Sequence, residues 1–314
     1  MAARFAQAMT REEPRCKPPP KIDPDSLAAL PRSPGVYIFR GEGALPLYIG
    51  KSVDIRARVM SHLRARDEAR MIAQTRRVDF IGTAGEIGAL LQEARMIKEQ
   101  RPLFNIRLRR SRTLCSILLR RTLAGVVPEF VDATTHALGS TPDLYGLFAS
   151  RHAARMKLRE LAQEHALCLA LLGLEGTAGR GCFGLQIRRC RGACVGKESR
   201  SEHDERLSAA LAEHQVHCWP YRGAVDIVEE AGGWVQRHRV HNWGHVGTWC
   251  SKSGGALPDA AMASFDPDVY KILVKPIMLG SARLDAAGAV GACPRSAAPG
   301  GGYSSRFPDE SACR

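Results

Sequence analysis

Two sets of residues in this sequence have the types and spacing to do chemistry. The first is thiol: Cys168, Cys182, Cys190 and Cys194 fall within 27 residues, at spacings of 14, 8 and 4. Four clustered thiols in a chain expected to stay in a reducing compartment point to metal or cluster ligation rather than disulfides. Structural Zn²⁺ fits by charge and ligand type, although only Cys190–Cys194 has the usual zinc spacing. An iron–sulfur cluster tolerates the uneven spacing. Cys115, Cys218 and Cys250 read as core thiols, and Cys16, Cys293 and Cys313 as thiols of flexible segments. The second set opens with Tyr37 and Tyr48, and Lys51 follows at once in Tyr48-Ile49-Gly50-Lys51. Arg58 and His62 come next, four residues apart, on one edge of an amphipathic helix. Glu93 flanks the buried stripe of a later helix, and Asn105 follows Arg101-Pro102-Leu103-Phe104. Taken singly, each has an ordinary reading as a packing tyrosine, a solvated charge or a turn residue.

The charge is uneven. The 314 residues carry a formal charge of +13, from 45 Lys or Arg against 32 Asp or Glu. Residues 51–121 hold 17 of those cations and 7 of the anions, so +10 lies in under a quarter of the chain. Such a stretch can exchange condensed counterions for phosphate contacts, which favours a nucleic-acid partner. Arg56, Arg107, Arg109, Arg110 and Arg112 are the expected DNA contacts. Arg180, Arg188, Arg189, Arg191 and Lys197 around the cysteines add a second basic segment that could also face DNA. The longest apolar stretch, Ala166–Leu174, is nine residues, against the ~18–20 of a membrane span. The N-terminus lacks the apolar core of a secretory signal. A cytoplasmic protein without membrane contact is the expectation.

The series Tyr37, Tyr48-Ile49-Gly50-Lys51, Arg58, then Glu93-Ala94-Arg95-Met96-Ile97-Lys98 and Arg101-Pro102-x-x-Asn105 resembles the GIY-YIG endonucleases, and within them the UvrC family. The short length and the sequence after residue 110 are closer to a short UvrC homologue than to UvrC itself. That resemblance implies metal-dependent phosphodiester hydrolysis in nucleotide excision repair, on damaged double-stranded DNA, 3′ to the lesion, with UvrB as partner. It implies that Glu93 holds one Mg²⁺ or Mn²⁺ and that Tyr37 is the general base. A phenol with a reference pKa of roughly 10 needs a nearby cation for that work, and Lys51 is the candidate. Arg58 would stabilise charge on the phosphate, Tyr48 support the nucleophile, and Asn105 orient the site or hold the last helix to the sheet. His62 stands where many relatives have tyrosine. A similar cysteine pattern in the family implies a 4Fe–4S cluster, with Zn²⁺ as runner-up. The alternatives are a GIY-YIG nuclease of branched or mobile-element DNA and a catalytically inactive DNA-binding adaptor. Intact Tyr37, Tyr48, Arg58 and Glu93 argue against the latter.

The elements that must position these residues follow from pattern, and the fold class is α+β. Gly35–Phe39 and Leu45–Ile49 read as a hairpin, and Val78–Ile81 as a third strand. Ser52 is the expected N-cap of a helix with Ile55, Val59 and Leu63 inward; a short helix follows over Glu68–Gln74. Glu86–Glu99 is amphipathic, with Ile87, Leu90, Leu91, Ala94 and Ile97 as its stripe. A small mixed sheet flanked by helices is thus expected over residues 31–110, after a flexible arm over 1–30. Residues 111–200 form a middle region: strands at Ser116–Leu119, Val126–Val131 and Leu144–Phe148, a helix over Arg151–His165, then the cysteine segment. Residues 201–284 form an α+β region without an assigned role, with a helix over Glu202–His214 and strands at Ala224–Val228, Trp234–Val240 and Val269–Val274. All four tryptophans, between 219 and 249, read as a local core. Residues 285–314 read as a disordered tail.

Overall fold

The computed structural model describes residues 22–106, 114–176, 181–254 and 263–286. The expected loose arm carries one short helix, Pro24–Ala28 (α1), capped by Asp23. Strand Gly35–Arg40 (β1) is buried at five successive positions, so both its faces are covered. It pairs with Pro46–Ser52 (β2) on one side and Arg77–Gly82 (β3) on the other. The sheet expected as small and mixed is three-stranded, and both ladders are antiparallel. Between β2 and β3 lie Ile55–Arg64 (α2) and Ala69–Gln74 (α3). The α2 cap is Asp54, not Ser52. The Asp54 carboxylate accepts the Ala57 N–H at 2.8 Å, while Ser52 ends β2.

Strand alternation sorts β1 onto two cores. Tyr37 and Phe39 pack with Ile55, Val59 and Met71 under α2 and α3. Val36 and Ile38 pack with Met96 and Ile97 of Glu86–Gln100 (α4). The stripe expected on α4 is only part of its contact surface. Gly88, Ala89, Leu91, Met96 and Ile97 are its buried residues, whereas Ile87, Leu90 and Ala94 are half-buried. α4 is wedged: Met96 and Ile97 face the first sheet, while Leu91 belongs to a core built by the rest of the chain.

The second sheet has the order β5-β4-β6, from Cys115–Thr122 (β4), Gly125–Asp132 (β5) and Leu144–Phe148 (β6). Arg151–Glu164 (α5), capped by Ser150, covers it. The cysteine segment follows, with the single turn Phe183–Gln186 (α6), and then Arg200–Leu211 (α7). Ser199 and Glu202 form a capping box at the start of α7, two residues before the expected helix. Ile117, Leu158, Leu161, Leu207 and Leu211 make the core.

The third sheet has the order β10-β7-β8-β9: Val225–Ala231 (β7), Trp234–His241 (β8), Gly244–Cys250 (β9) and Leu284–Ala286 (β10). The strand expected at Val269–Val274 is instead a helix, Pro267–Met278 (α8). Asp266 caps it and Pro267 starts it, and Val269, Tyr270, Leu273 and Ile277 fall on one helical face. β9 had no counterpart among the expected strands. Ala286 and Asp285, placed in the expected tail, belong to β10; the remainder of that tail lies outside the described residues. Of the four tryptophans, only Trp243 is fully buried. It stacks edge-on with Trp219 and Tyr270, whereas Trp234 lies under Lys252. Cys115 is buried as expected, but Cys218 and Cys250 are half-buried. Among the described residues no helix is long and apolar enough to cross a membrane.

Candidate active site and cysteine centre

Tyr37 is 1% exposed and points from β1 toward α2, where its hydroxyl lies 2.7 Å from His62 Nε2. His62, itself buried, places Nδ1 against the Glu68 carboxylate at the start of α3. A carboxylate can only accept, so Nδ1 carries a proton, and in the neutral ring Nε2 then accepts the Tyr37 O–H. Glu68, His62 and Tyr37 thus form a hydrogen-bonded line that ends at the phenol oxygen. Glu68 was not among the expected site residues. Burial is the main force pushing the Tyr37 hydroxyl above its usual pKa, with Tyr48 adding to it; a hydrogen bond and charge from Arg58 act the other way. Tyr48 packs beside both rings, at centroid distances of 6.2 Å from Tyr37 and 5.6 Å from His62. Gly50 makes room for this group. A Cβ there would lie 2.3 Å from the Tyr37 hydroxyl and 2.8 Å from Tyr48 Cε1.

The cation beside Tyr37 is Arg58, not Lys51. Lys51 pairs across β1 with Val36, so it faces α4, and its Nζ donates to Glu86 Oε1 at 2.5 Å. The Lys51 backbone N–H reaches Glu93 instead. Burial pushes the Glu93 carboxyl above the usual carboxylate range, and that amide and the Lys51 charge oppose it only in part. A half-buried carboxylate whose charge is undersatisfied fits a hydrated divalent cation, which needs few protein ligands. Asn105 completes the free edge of β2. Its Oδ1 accepts Ile49 N–H at 2.9 Å and its Nδ2 donates to Ile49 O at 2.8 Å. It ties the chain after α4 to the sheet. Arg56 donates to Ala28 O at 3.1 Å and packs the α1 segment. Arg107, Arg109, Arg110 and Arg112 lie outside the described residues, as does Arg180.

The four clustered cysteines come together: the sulfurs of Cys168, Cys182, Cys190 and Cys194 all lie within 4.8 Å of one another. Backbone amides aim at them. Cys182 N–H donates to Cys194 Sγ at 3.4 Å, Leu185 N–H to Cys182 Sγ at 3.3 Å, and Gly192 N–H to Cys190 Sγ at 3.3 Å. Burial pushes the Cys168 thiol up to about 11 and raises Cys182 as well. Burial also acts on Cys194, yet the Cys182 amide and the surrounding thiols hold it below its usual value. A group that crowds four sulfurs and solvates thiolate is built for a cation. Tetrahedral zinc at ~2.3 Å from each sulfur would set neighbouring sulfurs about 3.8 Å apart. His203, fully buried, accepts the Cys168 N–H at 3.1 Å and steadies that stretch of backbone. Arg188, Arg189, Arg191 and Lys197 are exposed around the centre, and none forms a salt bridge among the described residues.

Three family models match in succession. They are the UvrC-like GIY-YIG domain over residues 33–106, the middle domain of UvrC/Cho excinuclease over 114–213, and the excinuclease Cho C-terminal domain over 224–289. Excinuclease Cho of Salmonella typhimurium is 50% identical over 256 residues, 81% of this chain and 86% of that protein. The Escherichia coli (strain K12) protein of the same name is 50% identical over 258 residues, with the same coverage. UvrABC system protein C of Hyphomonas neptunium is 33% identical over 183 residues, 57% of this chain and 29% of its own. Among solved structures, the GIY-YIG N-terminal endonuclease domain of UvrC from Thermotoga maritima, bound to magnesium, is 32% identical. It covers 26% of this chain and 93% of that one, with a TM-score of 0.24.

Proposed function

The chain belongs to the Cho excinuclease family of UvrC-like GIY-YIG endonucleases, and on that premise we propose that it nicks damaged double-stranded DNA 3′ to the lesion, in the cytosol, with UvrB supplying lesion recognition. The observation that carries the chemistry is that Arg58 and Glu93 both act on the Tyr37 hydroxyl, which ends the Glu68–His62 line. Glu93 would hold Mg²⁺ or Mn²⁺, which when bound neutralises charge developing on the phosphate. Burial keeps Tyr37 from storing a negative charge, so the phenol passes its proton on as it accepts one. The attacking water gives its proton to Tyr37 Oη while the Tyr37 proton moves to His62 Nε2. Glu68 stabilises the imidazolium so formed, and Arg58 faces the phosphate charge. The departing oxygen takes its proton from solvent. The test is incision of an end-labelled, site-damaged duplex with and without UvrB and ATP. A single product cut 3′ to the lesion only when UvrB is present is expected. Equal nicking without UvrB would reassign the chain to the branched or mobile-element nucleases.

The same reading assigns the cysteine centre a 4Fe–4S cluster, on family resemblance and the uneven spacing of its ligands. One observation favours zinc as the second reading. Sulfurs within 4.8 Å of one another suit a single tetrahedral ion better than four irons set between them. Arg188, Arg189, Arg191 and Lys197 make this centre a second DNA contact.

A further inference from the structure

The helix that carries Glu93 begins without a cap of its own. Gly85 stands at its N-cap position and offers no side chain. Two of its first-turn amides are nevertheless satisfied, by a carboxylate from a strand about 140 residues further along. Ile87 N–H donates to Glu229 Oε1 at 2.8 Å, and Gly88 N–H to Glu229 Oε2 at 2.7 Å. The fit requires both glycines. A Cβ at Gly85 would lie 2.2 Å from Glu229 Oε1, and one at Gly88 would lie 2.8 Å from His238 Cε1.

The carboxylate is itself held. His238 Nε2 lies 3.2 Å from Glu229 Oε2, and His238 Nδ1 lies 2.9 Å from Thr248 Oγ1 on β9. Burial raises the Glu229 pKa, but His238 and the two helix amides outweigh it and keep the carboxylate ionised. Beside it, Gln236 Oε1 accepts Ala84 N–H at 2.8 Å. At the far end of α4, Lys98 Nζ donates to Asp266 at 2.6 Å and sits 2.9 Å from Asp268, both at the start of α8. The C-terminal unit therefore grips α4 at both ends, with Glu93 between them.

We propose that Glu229 is a positioning residue of the nuclease: the C-terminal sheet supplies the N-cap that fixes the axial and rotational setting of α4, and so the place of Glu93. Glu93 is two turns from the cap, close enough that a frayed or rotated first turn moves it, since each residue of slip turns the helix by about 100°. The inference rests on the reading of Glu93 as the metal ligand. The negative charge of Glu229 at the helix N-terminus also complements the macrodipole.

The test uses the full chain and Mn²⁺ as probe, with binding followed by electron paramagnetic resonance in the absence of DNA. Glu93→Ala defines the signal that belongs to Glu93. Glu229→Ala should weaken that binding about threefold to thirtyfold, the equivalent of a missing helix cap. Its nicking rate should fall at limiting Mn²⁺ and recover with excess, while DNA affinity in EDTA stays unchanged. Glu229→Gln keeps one carbonyl acceptor and should fall between Ala and the wild type. Wild-type Mn²⁺ affinity in folded Glu229→Ala overturns the proposal, whatever happens to the Tm. If Glu229→Ala does not fold, wild-type Mn²⁺ affinity in Glu229→Gln overturns it instead. Should the wild type bind Mn²⁺ no better than Glu93→Ala, the assignment of Glu93 fails, which is a distinct result.

Discussion

Tyr37 and Glu93 are both partly starved of the solvation their charged forms need, and each shows it in its own way. Glu93→Ala should abolish nicking and leave DNA affinity in a mobility-shift assay near that of wild type, because the basic surfaces remain. The raised pKa of Glu93 also bears on stability. A carboxyl whose folded-state pKa exceeds its unfolded value favours the fold below the unfolded pKa, and that benefit is lost as pH rises through the folded value. In EDTA at alkaline pH, Glu93→Gln should therefore melt a few degrees above wild type by calorimetry, and the difference should shrink on acidification. Candidate site residues of this kind were legible because their order and spacing resemble those of a known nuclease module. Glu68 was not. It lies six residues past His62, and only the turn into α3 brings its carboxylate back to the imidazole. The contacts of Lys51 were not legible either. The register of β1 with β2 puts it opposite Val36, on the α4 side, away from the Tyr37 hydroxyl.

Elements hold those side chains with little spare room. Gly50→Ala would drive a methyl into the Tyr37 hydroxyl and the Tyr48 ring. It should cost about 1–3 kcal/mol of stability by denaturant titration. Its nicking rate should fall by more than that loss of folded protein accounts for. Asp54→Ala, at the head of α2, should cost about 1 kcal/mol through removal of its cap and leave the nicking rate per folded molecule close to wild type. β1 was legible as a strand because an uninterrupted run of apolar residues bounded by Gly35 matches a strand covered on both faces. α8 was not, since Val269–Val274 is rich in residues that favour strands; the Asp266-Pro267 start signal and the spacing of Val269, Leu273 and Ile277 decide for helix. β9 escaped because its glycines break the alternation that marks a strand.

Over the whole molecule the exposed cations are arranged in more than one place. Replacing Arg188, Arg189, Arg191 and Lys197 together by Ala should flatten the salt dependence of duplex binding, by up to about 0.9 for each phosphate that is no longer neutralised. Affinity should fall equally on damaged and undamaged DNA. An unchanged slope would show that this face meets solvent only. Anaerobic purification should yield a brown protein with absorbance in the visible; a colourless protein carrying zinc would assign the centre to the single ion. Sequence patterns show which residues are buried within an element, but not which distant elements meet, so the grip of Glu229 on α4 could not be read from them. Leu91 of α4 shares a buried cluster with Trp243 and Leu273. α4 therefore keeps no complete core once the C-terminal sheet opens. Its amides should exchange with deuterium no more slowly than those of β8, and the nuclease and C-terminal units should unfold as one cooperative body.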